Sequence, residues 1–339
     1  MLHERMSEEE FYRYLEEQTK AMFPEYQVEL RGVEKSLSVK QSLLVRDPSS
    51  EVAPSLKLDE YYRDYLHAPD HAAASDQILK SIRKTVGQAY IDAEQKGIVR
   101  KALDAMADWR NKVQSSLIML KGNEEFLSGR PHKTFLNMAK VYYLVVDDLV
   151  EGHTSRIMIT NEHMESMGCT LDELDAHAMV NTLQQNSFEI DSIENVLRGL
   201  LADMPADVRE VDYGEVTLPM FVVSNRTKCD GAAVIQYKDV LDRICDFVRD
   251  DTYYILPSSR HEVLAIPESF GKDVAALQRM VHEVNATQVP PEDLLSESVY
   301  VYHRGQELQI CDPGMIEEMA ETEEPEETEE LEEGMAPVL

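Results

Sequence analysis

The chain has 339 residues, enough to bury one large core or two of ordinary size, and 43% of them are hydrophobic. Its 33 lysines and arginines stand against 64 acidic residues, and the net charge of −31 disfavours unspecific binding to nucleic acid or anionic membranes. Residues 317–333 hold eleven glutamates and no lysine or arginine, so the tail is strongly acidic, yet most of the charge belongs to the body of the chain.

Ser7-Glu8-Glu9-Glu10 is a capping-box pattern, and Phe11, Tyr14, Leu15 and Met22 continue it as an amphipathic helix ended by Pro24. Residues 28–30 and 37–45 read as two strands separated by a turn at Arg31 and Gly32. Asp59 can cap a short helix carrying Tyr61, Tyr62 and Tyr65. Ser75 opens a longer helix with Ile78, Leu79, Ile82 and Val86 on one face, and a third helical segment carries Leu103, Met106 and Trp109. Residues 117–120 suit a strand, 123–128 a short helix, and 135–146 a long strand that forms a hairpin with 156–159. Asn161 caps a helix ended by Gly168, and Thr170-Leu171-Asp172-Glu173 is a second capping box opening a helix to about residue 185. Residues 192–204 form another amphipathic helix, and the acidic segment 207–218 has no period and reads as a linker.

Residues 219–267 are the most ordered-looking stretch. Residues 220–223 form a compact apolar run. Val240, Leu241, Ile244, Cys245 and Val248 share one helical face, and residues 253–256 and 262–266 read as two strands joined by Pro257-Ser258-Ser259-Arg260-His261. A helix carrying Val274, Leu277, Val281 and Val284 and a closing hairpin over 299–310 follow. Helices and hairpins without strict strand-helix alternation predict an α+β fold, with mixed or antiparallel sheets and packed amphipathic helices. The expected division is an N-terminal subdomain over 1–112, a second over 113–311, and a disordered acidic tail over 312–339; a single continuous core is the alternative.

The string YYILPSSRHEVLAIPES after GAAVIQYKDVL, with SLKLDEYYRDYL, FLNMAKVYYLVV and ITNEHMESMGCTLDELDAHAMVNT, resembles an uncharacterised family found in gut Clostridia, domain-of-unknown-function family 5688. The last segment is also similar to the Firmicutes domain-of-unknown-function family 1444. These segments cover most of residues 7–311, and neither resemblance implies an activity.

Ser258, Ser259, His261 and Glu262 bring together the residue types of a hydrolase nucleophile, base and orienting acid. Triad members normally converge from separate elements, however, and no G-x-S-x-G elbow accompanies them. A non-covalent site made of Asn225, Arg226, Ser258, Ser259, Arg260, His261 and Glu262 at one end of a sheet could bind an anionic or polar ligand. The pairs His67/His71, Glu173/His177 and Asp147/Asp148 have metal-ligand spacing, but Pro69 interrupts the first, and an ion pair and a turn explain the others. Cys169, Cys229, Cys245 and Cys311 form no C-x-x-C pair and read as four reduced thiols. Phosphate-binding glycine motifs are absent, and no cofactor or metal is expected.

Residues 1–11 lack the apolar core of a signal peptide, and the longest apolar run, 141–146, is too short to span a bilayer. The expectation is a cytoplasmic bacterial protein. With no complete catalytic motif and an extreme charge, the leading expectation is a non-catalytic interaction protein with a basic protein partner. The alternatives are a hydrolase or small-ligand-binding enzyme using the hairpin at Ser258–Glu262, and a nucleic-acid mimic.

Overall fold

The computed structural model describes residues 5–50, 53–150, 153–185, 187–202, 219–271 and 273–311. The acidic tail expected over 312–339 and the whole of the linker expected over 207–218 lie outside them. The chain begins with α1 (Glu8–Met22), β1 (Gln27–Lys35), β2 (Ser38–Arg46), β3 (Ser55–Lys57), α2 (Leu58–His67) and α3 (His71–Lys96). The predicted capping box opens α1: the Ser7 hydroxyl accepts from the Glu10 N–H and the Glu10 carboxylate accepts from the Ser7 N–H. The three strands pair antiparallel in the order β1-β2-β3. Phe11 and Leu15 of α1 pack with Leu43 and Val45 of the sheet and Tyr65, Ile82 and Val86 of α2 and α3. Tyr65 stacks on Phe11 with 4.6 Å between ring centroids, so this tyrosine is a core residue and not part of an exposed platform.

The predicted turn at Arg31 and Gly32 is not a turn. Strand β1 runs through both residues, and the reversal comes at Ser36 and Leu37, where Leu37 has φ 54°. Gly32 serves another purpose, because the Val39 side chain lies across it: a Cβ there would sit 2.8 Å from Val39 Cγ1.

Next come α4 (Ile98–Ala107), α5 (Trp109–Lys112), β4 (Val113–Met119), α6 (Glu124–Ser128), β5 (His132–Phe135), β6 (Met138–Val150), β7 (His153–Met158), α7 (Asn161–Met167) and α8 (Leu171–Gln185). The long strand expected over 135–146 is two strands: Leu136, at φ 55°, turns the chain back, so β5 pairs antiparallel with the start of β6. β4 flanks β6 on its other side, β7 pairs with its later half, and α8 covers this sheet through Leu174 and Ala178 against Val113, Tyr142 and Leu144.

The last part holds β8 (Phe188–Ser192), α9 (Ile193–Ala202), β9 (Phe221–Asn225), a 3₁₀ helix (Gly231–Gln236), α10 (Lys238–Val248), β10 (Thr252–Ser259), β11 (Glu262–Pro267), α11 (Val274–Thr287), a 3₁₀ turn (Pro291–Asp293), β12 (Tyr300–His303) and β13 (Gln309–Ile310). Its six strands form an antiparallel sheet in the order β13-β12-β10-β11-β9-β8. Alternation along β10 decides which helix covers which face. Tyr253 and Ile255 pack with Leu241 and Ile244 of α10, while Tyr254 and Leu256 pack with Val274, Leu277 and Val281 of α11. The α10 core also takes in Leu117 of β4 and Met138 of β6, so the two larger sheets share buried surface. The architecture is α+β with antiparallel sheets and packed amphipathic helices.

At the start of the first 3₁₀ helix the backbone of Gly231 passes so close to its neighbours that an added Cβ would lie 2.6 Å from Asn225 N and closer still to Ser224 Oγ and His261 O. Gly231→Ala is expected to cost about 3 kcal/mol by forcing β9 away from the β10–β11 turn. The midpoint of denaturant unfolding measures this, and a midpoint unchanged from the parent chain would contradict the close approach.

Candidate active site

Strand β9 ends at Asn225, and this side chain determines the path of the loop that follows. Asn225 is buried; its Nδ2 donates to Cys229 O at 2.8 Å, and its Oδ1 accepts from Cys229 N at 3.2 Å and from Thr227 Oγ1 at 3.0 Å. One amide thus satisfies both backbone groups of Cys229, a local bond pattern for which asparagine is suited. The clamp holds Lys228 at φ 50° and Asp230 at φ 54°, left-handed conformations that cost side-chain-bearing residues about 1 kcal/mol each or more. Cys229, between them, lies in the wall of a cavity.

The β10–β11 turn brings a histidine to the same place. Ser259 Oγ accepts from His261 N at 3.1 Å and Ser224 Oγ donates to His261 O at 2.8 Å, so the turn is tied to its own strand and to β9. The His261 ring is held at both nitrogens: Asp230 N donates to Nδ1 at 3.1 Å, and Nε2 lies 3.2 Å from Asp293 Oδ1. A backbone N–H can only donate, so the neutral ring carries its proton on Nε2, toward Asp293, and the Nδ1 lone pair accepts from Asp230 N. Asp293 belongs to the 3₁₀ turn after α11, and its carbonyl accepts from Arg260 N at 2.8 Å. Interaction of the Cys229 thiol with this imidazole lowers the thiol pKa from its ordinary value and raises that of His261.

A buried carboxylate lies behind the pair. Asp230 is 4% exposed and receives Arg260 Nε at 2.6 Å and Arg156 Nη1; Arg156 Nη2 donates to Cys229 Sγ. Burial acts to raise the Asp230 carboxyl, but the Arg260 and Arg156 charges outweigh it and hold the group below its ordinary value. Arg260 also reaches Ser116 Oγ of β4 at 3.1 Å, and the Arg156 guanidinium from β7 lies 4.6 Å over the Tyr143 ring.

These groups open onto a cavity of about 370 Å³. Its other walls are Phe126 and Arg130, Met158, and the tip of the β1–β2 hairpin at Glu34, Lys35 and Ser36. Asn123 ties that tip down, accepting from Leu37 N at 2.8 Å and donating to Ser36 Oγ at 3.1 Å.

Of the residues singled out in the sequence, Arg260 and His261 line the cavity, Asn225 shapes the loop beneath it, and Ser259 holds the turn. Arg226 is exposed with its N–H bonded to Ser187 O, and Arg226, Ser258 and Glu262 do not line the cavity. The turn is shorter than the expected five-residue connection, because β10 extends through Ser259. Cys229, Asp230, Asp293 and Arg156 were missed by sequence reasoning. The signal for the first was its setting: Cys245 lies on an apolar helix face, whereas Cys229 sits in the polar turn-former run Asn225-Arg226-Thr227-Lys228-Cys229-Asp230-Gly231. The metal-spaced pairs serve other ends, with His67 Nδ1 at Arg63 O, His71 Nδ1 at Tyr65 O, and Glu173 closing the Thr170 capping box. The Asp147 and Asp148 side chains lie outside the described residues.

Asp230→Asn keeps the shape but leaves two arginines facing a neutral group in a buried site, so a loss of about 3 kcal/mol is expected in denaturant unfolding. The pH response carries the sign: a carboxyl lowered in the folded state contributes stability above its unfolded pKa and loses it as pH falls through the folded value. The parent chain should therefore lose stability in that acid range more steeply than the variant, and parallel acid limbs would contradict the buried pairing.

The match to a protein-family model covers residues 8–304, and that model is described as a family of unknown function, DUF5688. No curated protein and no solved structure matches the chain. With most of its length inside the match, the chain belongs to the DUF5688 family of unknown function.

Proposed function

We propose that the chain is a thiol-dependent hydrolase of a small carbonyl substrate, with Cys229 as nucleophile, His261 as acid and base, and Asp293 orienting the imidazole. The observation that carries this reading is the convergence of those three side chains, from a loop, a hairpin turn and a 3₁₀ turn, on one cavity. Residues adjacent in the hairpin could not achieve this, which is why Ser258 and Ser259 are not assigned the nucleophile's role.

In the proposed reaction His261 Nδ1 gives up its bond from the Asp230 N–H and takes the thiol proton, and Sγ attacks the carbonyl carbon, forming a C–S bond and placing the negative charge on the carbonyl oxygen. Arg156, already at Sγ, is positioned to donate to that oxygen. Collapse expels the leaving group, which receives the proton from Nδ1. Water then adds to the thioester as Nδ1 accepts its proton, and departure of Sγ, reprotonated from Nδ1, releases the acid. Asp293 keeps Nε2–H in place throughout and favours the imidazolium that forms twice in the cycle.

The acidic surface supports a separate proposal on charge alone: a cytoplasmic role with a basic protein partner, or mimicry of nucleic acid. Capture of such a partner from lysate at low salt and its loss at high salt would test it. A bacterial, clostridial origin and the likeness to family 1444 belong to the same level of proposal, resting on the segments quoted above.

The hydrolase reading predicts that the thiolate absorbance assigned to Cys229, by difference from Cys229→Ser, forms at lower pH than that of an ordinary thiol, and that His261→Ala moves it upward. A Cys229 that titrates as an ordinary thiol overturns the reading. Turnover of nitrophenyl esters should fall by about 10³-fold or more in Cys229→Ala. Asp293→Asn should lower the His261 pKa, read from ring-proton or ring-nitrogen resonances, because it removes a charge that favours the imidazolium.

A further inference from the structure

The cavity around Cys229 has a charge of opposite sign to the protein. Lys35, Arg130, Arg156 and Arg260 line it against Glu34, Asp230 and Asp293, an excess of one positive charge in a chain carrying −31. The two halves of this set differ. Arg156 and Arg260 are committed to Asp230, Cys229 and Ser116. In the part of the lining that comes from the N-terminal hairpin, Lys35 is exposed at the β1–β2 tip and makes no ion pair among the described residues. Arg130 gives Nη1 to Phe126 O and stands 3.5 Å from Glu34, with its guanidinium 3.8 Å over the Phe126 ring. Its Nε is buried without a hydrogen-bond partner, so the guanidinium meets the cavity through its terminal nitrogens.

Resting on the hydrolase reading, we propose that the substrate carries a carboxylate, which Lys35 and Arg130 bind in the cavity that Cys229 also lines. Two cations against the single carboxylate of Glu34 leave one net positive charge in this part of the lining, which matches a monoanion; a phosphate dianion would be left undercompensated beside Glu34. Arg130, its guanidinium held against Phe126, supplies a fixed positive charge, and Lys35 supplies a mobile one. Phe126, Met158 and Tyr143 add apolar surface to the same lining, suited to the carbon skeleton between the carboxylate and the reacting carbon. The rest of the protein acts as a filter. A polyanion would feel the −31 charge well before reaching the cavity, whereas a small monoanion inside a 370 Å³ space sees chiefly the local cations. Lys35 comes from the N-terminal three-stranded sheet, so that sheet contributes specificity to a site whose nucleophile, base and orienting acid come from residues 229–293.

Iodoacetate and iodoacetamide test this directly, since they alkylate a thiol by the same displacement of iodide and differ in a carboxylate. Rate constants for Cys229 in the full chain would be measured for both reagents at a pH where the thiolate is formed. Labelling of the Cys229 peptide would be read by mass spectrometry and the ratio compared with that of 2-mercaptoethanol. The expected result is a ratio of iodoacetate to iodoacetamide about tenfold or more above the reference thiol, despite the protein's negative charge. It should fall about threefold in Lys35→Gln, further in Lys35→Glu, and toward the reference at high salt. Lys35 is exposed, so both variants should retain the parent's unfolding midpoint. A ratio at or below the reference, or one unmoved by Lys35→Glu, overturns the carboxylate proposal while leaving the hydrolase reading standing. A Cys229 that neither reagent labels faster than the reference thiol overturns the hydrolase reading instead, and this proposal with it.

Discussion

The Asp230 carboxylate, buried between two arginines, is the constraint on which the arrangement depends. Arg156 comes from β7 of the four-stranded sheet and Arg260 from the β10–β11 turn of the six-stranded sheet, so one anion ties the two sheets at the point where their cores meet. Its own backbone N–H bonds to His261 Nδ1, and its neighbour in sequence is Cys229. A charge that could not be buried alone therefore positions a base and a thiol as a consequence of its own neutralisation.

Around that anion the loop is made rigid by small, specific devices. The Asn225 amide closes on both backbone groups of Cys229, Gly231 permits a contact that no Cβ would allow, and two serine hydroxyls fasten the His261 turn. Left-handed Lys228 and Asp230 on either side of Cys229 are the conformational cost of presenting that residue to the cavity, offset by the bonds that hold them. The hydrophobic core does the coarser work. Alternation along β10 seats α10 on one face and α11 on the other, and α11 is followed directly by the turn that carries Asp293.

The N-terminal sheet has a core of its own, drawn from residues between Phe11 and Val86, yet its hairpin tip forms a wall of the cavity. That depends on the turn lying at Ser36 and Leu37. Had β1 reversed at Arg31 and Gly32, as the glycine suggested, the strand would be shorter and Lys35 could not stand at the end of a hairpin held by Asn123. Glycine is ambiguous in this way: it marks a turn in most contexts and a close crossing in others, and only the Val39 side chain above Gly32 distinguishes them.

The sequence alone was enough for whatever depends on neighbours along the chain. The capping boxes at Ser7 and Thr170, the amphipathic faces of α1 and α10, the two strands around Pro257 and the α+β class follow from spacings of three, four and two residues, and these survive in the structure because burial acts on the same periodicities. His261 and Arg260 were legible too, as polar residues in a tight turn at a sheet end. What only the tertiary structure decided is their company. Cys229, Asp293 and Arg156 stand 32, 32 and 105 positions from His261, and no local rule couples residues at such separations. They meet because two sheets share a core and a buried carboxylate must find its counter-charges, a condition satisfied in three dimensions and invisible along the chain.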